Sequence, residues 1–438
     1  MSSPFRLLLI GDSDSQLLAC EALCQFPDHL KVDVTINAIP REGTPETILQ
    51  RAKALGRLWR FDIGQLLTHP ELHQFDAIGV YLTGSKISDF RLALSLLSRS
   101  VRPLLFCGFN GVVLEKFLEG MSWRLGYDLI CLNGPRDQDA LQQMVLGSPF
   151  AEQSTVLTGL RRNGGPGTKT TIPNEKRRRQ LVFAEQVVMP RDARDRANMV
   201  RILADLARRS PDWDILIKPR IAPDESTFHE AETHISLTVL QSIGQPPSNF
   251  KLDYRPLPEL LSQSRLMATV SSTAFFDALD FGCRPVVMAD FGMNPTNGSH
   301  VFAGSGVWQI LDAVNDLNAL DQDLGQPNPE WLSWMGYGRE WNPEQLIVSL
   351  KEAKTHDQEP IQAKSGYVSN ANLSFNQLRR DAEHAIQDGN WNEAQSLLKL
   401  GSLMRPSHRN IARRLKAVEQ TNRLLRRLLL ILTYRHVG

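Results

Sequence analysis

The chain has 438 residues, of which 42% are apolar and 22% charged, with a formal net charge of +1. That length exceeds what one hydrophobic core organises and predicts two main domains. The near-neutral charge argues against a dedicated nucleic-acid binder, which normally carries a strongly basic domain. Five scattered cysteines (Cys20, Cys24, Cys107, Cys131 and Cys283) without a CxxC cluster predict reduced thiols rather than a disulfide frame. The first apolar run, FRLLLIG, is too short for a signal peptide and leads straight into acidic GDSDS. No stretch reaches the roughly 18 apolar residues of a spanning helix. A cytoplasmic protein is expected.

Over residues 1–160, short apolar runs alternate with helical patterns. FRLLLIG, KVDVTINAI, FDAIGVYLTG, RPLLFCGFNG and YDLICLNGP read as strands; QLLACEALCQF, ETILQRAKALG and FRLALSLLSRS read as helices. Near-continuous apolar strands separated by helices predict a parallel sheet covered on both faces. Four of the runs end in small or polar residues: Asp12 and Asp14, Thr83 and Gly84, Gly108 and Asn110, Asn133 and Gly134. Ligands of open α/β sheets bind beyond strand carboxyl ends, so this edge is a candidate cleft wall.

Residues 161–180, RRNGGPGTKTTIPNEKRRRQ, are rich in Gly, Pro and basic residues and read as an interdomain linker, with the RRR run on a solvated face. A second alternating set occupies 181–355. RQLVFAEQVVMP, WDILIKPR, NFKLDYRP, RLMATVSS and CRPVVMADFG read as strands. RDRANMVRILADLARRS reads as an amphipathic helix with Met199, Ile202, Leu203 and Leu206 on one face. The fold expected is therefore α/β, two Rossmann-like domains facing a cleft.

In this half the charged and polar residues converge. WDILIKPR delivers Lys218 and Arg220 at its carboxyl end; LVFAEQVVMPR delivers Gln186 and then Arg191; RLMATVSST ends in Ser271, Ser272 and Thr273 before an amphipathic segment. The serines and threonine serve a helix cap or, with the cations, an anion site for a phosphate-bearing ligand. The alternative for Arg191, next to Asp192 and Asp195, is a surface ion pair. Downstream, IAPDESTFHEAETHISL carries Glu225, His229 and His234 in no zinc spacing, so no metal is assigned. MNPTNGSHVFAGSG, with Asn297, Gly304 and Ser305, is too long for a simple turn and is expected beside the same crevice.

FAEQVVMPR, DILIKPR with a downstream E-S-T-F-H, TVSSTAFFDAL-x-x-G-x-x-P and NGSHVFAGSG resemble, in that order, a family of uncharacterised bacterial putative glycosyltransferases. The resemblance covers about residues 180–310, and GDSDSQ near the start fits it. The two-domain clam is also the organisation of GT-B glycosyltransferases and of sugar-nucleotide epimerases. More distantly, the serine seam is similar to bacterial sialyltransferases of GT-B fold, which hold the phosphate of CMP-sialic acid with a serine pair and a His-Pro motif. The serine pair carries over to Ser271 and Ser272. Lys218, Pro219 and Arg220 stand in place of His-Pro, and an always-charged arginine cannot donate a proton to the phosphate. What the resemblance implies is metal-independent, inverting transfer from a nucleotide-activated sugar, a CMP-linked acidic sugar among the options, in surface glycan synthesis. No cofactor is called for. Asp14 is assigned as the base that takes the acceptor proton, Asp12 is second, and His229 is a phosphate ligand or second acid. The alternative for Asp12 or Ser13 is a helix cap.

Beyond residue 370 the pattern becomes helical. Residues 376–419 resemble one tetratricopeptide-like hairpin, which cannot bury its own face and must pack on the body or a partner. NRLLRRLLLILTYRHVG is a basic, apolar helix that lies on anionic lipid, at the inner face of the plasma membrane, or docks on protein. Partners expected are a nucleotide-sugar donor and a glycan or lipid-linked acceptor. Two other readings are open. One is a CDP-polyol phosphotransferase or sugar-nucleotide epimerase on the same scaffold; the other is a non-catalytic glycan- or partner-binding protein whose working part is the 371–438 tail.

Overall fold

A computed structural model describes residues 3–24, 26–40, 44–96, 102–112, 117–160, 172–220, 233–355, 375–405 and 408–434. Seven strands form the first sheet: β1 (Phe5–Gly11), β2 (Val32–Ala38), β3 (Arg57–Trp59), β4 (Ala77–Tyr81), β5 (Leu104–Cys107), β6 (Leu129–Leu132) and β7 (Thr155–Leu157), in the order β3-β2-β1-β4-β5-β6-β7. Six form the second: β8 (Arg178–Ala184), β9 (Asp214–Lys218), β10 (Phe250–Leu252), β11 (Ser264–Thr269), β12 (Arg284–Met288) and β13 (Trp308–Gln309), in the order β10-β9-β8-β11-β12-β13. Every pairing is parallel. Apart from β7, the two sheets share one strand order, which reverses at β1/β4 and at β8/β11.

The apolar runs explain the layering. Leu7, Leu8, Leu9 and Ile10 of β1 are all fully buried, which requires helices on both faces. In the second unit the predicted face of the Ala193–Arg209 helix is the buried one: Met199, Ile202, Leu203 and Leu206 pack with Leu181, Phe183, Ile215 and Ile217. Asp192 caps that helix by accepting from the Arg194 and Asp195 amides, and Arg208 and Arg209 sit in its last turn, where the dipole favours cations.

Four features depart from the sequence reading. Strands β3, β7 and β13 have only two or three residues, too short for a visible period. The strand read into RQLVFAEQVVMP stops at Ala184, and Gln186 and Met189 form an isolated bridge instead. The RRR run is not a solvated face throughout. Arg177 is buried, donating to the carbonyls of Ile172, Leu261, Ser264 and Phe281, and so ties four segments of the second unit together. Residues 161–171 of the expected linker lie outside the described residues, and its last three residues, from Arg178, already belong to β8.

The fourth departure is where the second unit ends. The helix Glu344–Lys354 returns to the first sheet, burying Leu346, Ile347 and Leu350 among Phe5, Leu7, Leu9 and Leu104. Lys351 donates to the Leu30 carbonyl at 2.6 Å, and Lys354 pairs with Asp76. Before that helix the chain passes through a tight joint. Gly336, at φ +97°, lies so close to the end of β6 that an added Cβ would stand 2.0 Å from the Asn133 carbonyl oxygen. Opposite it, a Cβ on Gly134 would meet the Gly336 backbone at 2.4 Å. The Leu160 amide donates to the Gly336 carbonyl at 2.9 Å. The loop after β5 adds Val112, which packs on the core of the second unit. The carboxyl edge of the first sheet therefore abuts the second unit.

Among its described residues the tail forms four helices, Phe375–Gln387, Trp391–Met404, Arg409–Val418 and Arg423–Tyr434, around a small core of its own that includes Leu378, Ala382, Leu397, Leu398 and Ile411. It is two hairpins rather than one hairpin and a helix. It meets the first unit at Arg380, whose Nε lies 3.1 Å from Asp89 Oδ1.

Gly336→Ala is expected to lower unfolding stability by at least about 2 kcal/mol, because the substitution meets both an unfavourable φ and immovable backbone. Urea denaturation of the two proteins checks this, with Gly325→Ala, whose added Cβ would stand in open space, as the control expected to change little.

Candidate functional site

The point where the second sheet reverses its strand order, between β8 and β11, is where an open α/β sheet leaves a crevice. The register sets Lys218 of β9 beside Ala184 of β8, and Phe183 beside Ala268 of β11. The carboxyl ends of three neighbouring strands therefore emerge together. Gln186, just past β8, ties the β8 and β11 ends. Its Oε1 accepts from the Ser271 amide at 3.0 Å, and its Nε2 lies 3.3 Å from Ser271 Oγ. Thr269 Oγ1 in turn accepts from the Ser272 amide at 3.1 Å, and Ser272 Oγ accepts from the Ala274 amide at 3.2 Å.

The three residues of the seam thus divide. Ser272, one residue before the cap, accepts from the first amide of the short Ala274–Asp280 helix. Ser271 has no exposed surface and faces Gln186, so its hydroxyl cannot hold a phosphate as expected. Thr273 occupies the cap position without a side-chain cap bond, and Ser272 and Thr273 are half-exposed. Phe275 and Phe276 of the helix pack with Phe302 and Trp331 in one aromatic cluster that fixes its position.

The cations follow the neighbouring strand ends. Lys218 is half-exposed at the end of β9, with its ammonium 2.6 Å from the Pro219 carbonyl. Arg220 is exposed, and its amide donates to Glu185 Oε2 at 3.0 Å. Arg191 is exposed, and its amide donates to Asn297 Oδ1 at 3.3 Å. Sequence reasoning passed over Glu185 and Arg196, the pair that organises this corner. Arg196 Nη2 donates to Glu185 Oε1 at 3.0 Å, while its Nη1 donates to the Gln186 carbonyl. A buried carboxylate satisfied by one guanidinium and one strand-end amide holds the β8 and β9 ends in register. The available signal was an acid inside an apolar strand run.

The 293–306 loop contributes unevenly. Asn297 is buried and bonds Arg191, so it belongs to the corner. Ser305 is fully buried, with its hydroxyl accepting from the Val307 amide, and it does not line a crevice. Gly304 backs onto Trp331, where a Cβ would stand 2.6 Å from the indole. Both are packing positions, set by the aromatic cluster. Glu225 and His229 lie outside the described residues. His234 caps the Ile235–Ile243 helix through Nδ1, 3.1 Å from the Ser236 amide.

At the equivalent reversal of the first sheet, Asp12 is buried. Its Oδ1 accepts from the Thr83 amide and hydroxyl at 3.0 and 2.8 Å, and its Oδ2 pairs with Lys86 at 2.9 Å. Asp12 ties β1 to β4 as Gln186 ties β8 to β11. Ser13 caps the Asp14–Leu23 helix, leaving Asp14 exposed in its first turn. Further along the same edge, a cavity of about 40 Å³ is lined by Tyr81, Asn110, Cys131, Asn133 and Thr158. It has room for a water molecule or two, not for a nucleotide. Burial pushes the Cys131 thiol beside it up to about 12, so that thiol is no nucleophile near neutral pH.

Comparison with known proteins follows the same outline. Residues 7–353 match the family model described as "Putative glycosyltransferase (DUF6716)", and the chain belongs to that family; the helical tail falls outside the match. Among solved structures it is similar to a putative UDP-N-acetylglucosamine 2-epimerase from Listeria monocytogenes, at 13% identity and TM-score 0.51, over 82% of this chain and 98% of that one. It is also similar to the S. aureus MnaA–UDP co-structure (13% identity, TM-score 0.49, 82% and 100% covered). A third is Arabidopsis thaliana UGT89C1 complexed with UDP-L-rhamnose (10% identity, TM-score 0.48, 81% and 100% covered). At such identities the likeness is one of fold, the two-domain GT-B architecture. No protein of curated function matches the sequence.

Gln186→Leu is expected to cost about 1–3 kcal/mol, since it strands the Ser271 amide at the seam. Thermal or urea unfolding measures that cost. A loss below about 0.5 kcal/mol would show that the seam does not depend on this side chain.

Proposed function

We propose that this member of the glycosyltransferase family transfers a sugar from a nucleotide donor with inversion and without a metal, and that the β8/β11 corner holds the donor phosphate. The observation that carries the reading is the order of strand ends: Lys218 and Arg220 at the end of β9 and Arg191 beyond β8 follow strands that adjoin β11, whose end carries the half-exposed Ser272 and Thr273. Cations and hydroxyls at adjoining strand ends suit a phosphate better than any neutral ligand.

In the proposed reaction an acceptor hydroxyl oxygen attacks the anomeric carbon. The bond from that carbon to the phosphate oxygen breaks, and the nucleotide leaves with the electron pair. Lys218, Arg191 and Arg220 stabilise the charge that accumulates on the leaving phosphate. Ser271 acts through Gln186 to position the seam rather than touching the donor. The acceptor proton passes to a carboxylate. Asp14 is the assigned base because it is exposed at the carboxyl edge of the first sheet, whereas Asp12 already accepts three hydrogen bonds and better serves to orient that edge. His229 and Glu225 keep their sequence assignments, as phosphate ligand or second acid and as a cleft residue. A CMP-linked acidic sugar is one donor this corner suits, and assembly of a surface glycan on a carbohydrate or lipid-linked acceptor is the process proposed.

Thermal shifts of the full chain with CMP, CDP, UDP, GDP and inorganic phosphate test the donor site. A nucleotide at 100 times its Kd stabilises the folded state by about 2.7 kcal/mol. The shift is expected to shrink in Lys218→Ala and Ser272→Ala, each compared with its own ligand-free Tm. Selectivity for CMP would support the acidic-sugar donor; selectivity for UDP would move the assignment to a hexose transferase or an epimerase. No shift with any nucleotide would overturn the proposed site. Asp14→Asn is expected to leave the nucleotide shift unchanged while lowering kcat by roughly 10²–10⁴, measured on whichever donor the panel identifies.

A further inference from the structure

The last helix, Arg423–Tyr434, has two apolar faces. One faces the tail: Leu430 and Thr433 are buried, and the Arg426 guanidinium lies 4.5 Å over the Trp391 ring and donates to the Gln420 carbonyl. On the opposite side Leu424, Leu425, Leu428, Ile431 and Leu432 are exposed, Leu424 at 82% and Leu428 at 58%. At 100° per residue these five fall within an arc of about 120°, centred away from Leu430. No aromatic or hydrogen-bonding side chain interrupts that stripe. Arg423 and Arg427 are exposed along one flank.

Charge selects the occupant. Residues 405–438 hold nine Lys and Arg against the single acid Glu419, a net of +8 within a chain of net +1, so residues 1–404 carry −7. A continuous aliphatic ridge on a convex helix asks for no directional partner. With Arg423, Arg426 and Arg427 as the only charged residues of the helix, it matches a surface that is apolar beneath and negative at its rim. Among the described residues no helix is long and apolar enough to cross a membrane. The 12-residue helix is roughly 18 Å long, suited to lie in the interface rather than span it.

We propose that the outer face of the Arg423–Tyr434 helix docks the protein on an anionic lipid bilayer, with the leucines among the acyl chains and the arginines at the headgroups. The proposal does not rest on the glycosyl-transfer reading. The rest of the molecule, negative overall, is repelled by the same surface, so only the tail end makes contact. The inner face stays on the tail core, and docking requires no unfolding.

Sedimentation of the full chain with vesicles is the test. Vesicles of phosphatidylcholine alone are compared with vesicles containing about one-third phosphatidylglycerol, a content that gives a strong negative surface potential. Binding is expected to the anionic vesicles only, and to weaken about tenfold or more in about 0.5 M salt, where the Debye length is a few ångströms. Leu428→Glu with Leu432→Glu changes only exposed positions and is expected to abolish binding with Tm unchanged. Failure of the native chain to bind anionic vesicles would overturn the proposal, as would equal binding by the variant. So would concentration-dependent dimerisation of the native chain, seen by analytical ultracentrifugation and lost in the same variant, because the stripe would then be a protein interface.

Discussion

Parallel pairing is the constraint on which the rest of the molecule depends. A parallel neighbour can be reached only by a crossover, so each strand start is returned to the same edge and each carboxyl end emerges at the other. With two sheets built this way, the polar residues that end one apolar run fall beside those that end the next. Lys218, Gln186 and Ser271 are separated by up to 85 residues in sequence, yet they adjoin because β9, β8 and β11 are consecutive in the sheet. The two reversal points are closed by the same device, a polar side chain from the first strand accepting from the amide beyond the fourth: Asp12 with Thr83, Gln186 with Ser271.

This regularity explains how much was legible beforehand. Period and burial expose a parallel α/β chain in sequence, and a strand end is located wherever an apolar run meets Ser, Lys or Gly. The three-strand corner follows from those ends once the strand order is the usual one. What sequence does not carry is the direction in which a side chain turns at a strand end. Ser271 and Ser272 are chemically alike and adjacent, yet one is sealed against Gln186 and the other is half-exposed. Ser305 and Gly304 sit in a loop dense with small polar residues, which reads equally as a ligand loop or as the tight backing of an aromatic cluster; Trp331 decides for packing. Arg177 in a basic run reads as solvated because its four carbonyl partners are spread over more than 100 residues.

The corner is also held rigid independently of any ligand. Glu185, Arg196 and the Arg220 amide form a buried, satisfied set, and breaking such a set is costly because it leaves a charge without a partner. The aromatic cluster fixes the following helix. A site that needs hydroxyls and cations at set positions gains from such support, since little ordering remains to be done on binding.

The helix that returns from residue 344 to the first sheet has a consequence for synthesis. Leu346, Ile347 and Leu350 complete a core whose other members lie within the first 156 residues, so that core stays open until the second unit has left the ribosome. The amino-terminal half therefore waits, partly uncovered, for a segment made nearly 200 residues later. A fragment ending at 160 exposes that aliphatic surface permanently, and aggregation is the expected fate of such a truncation.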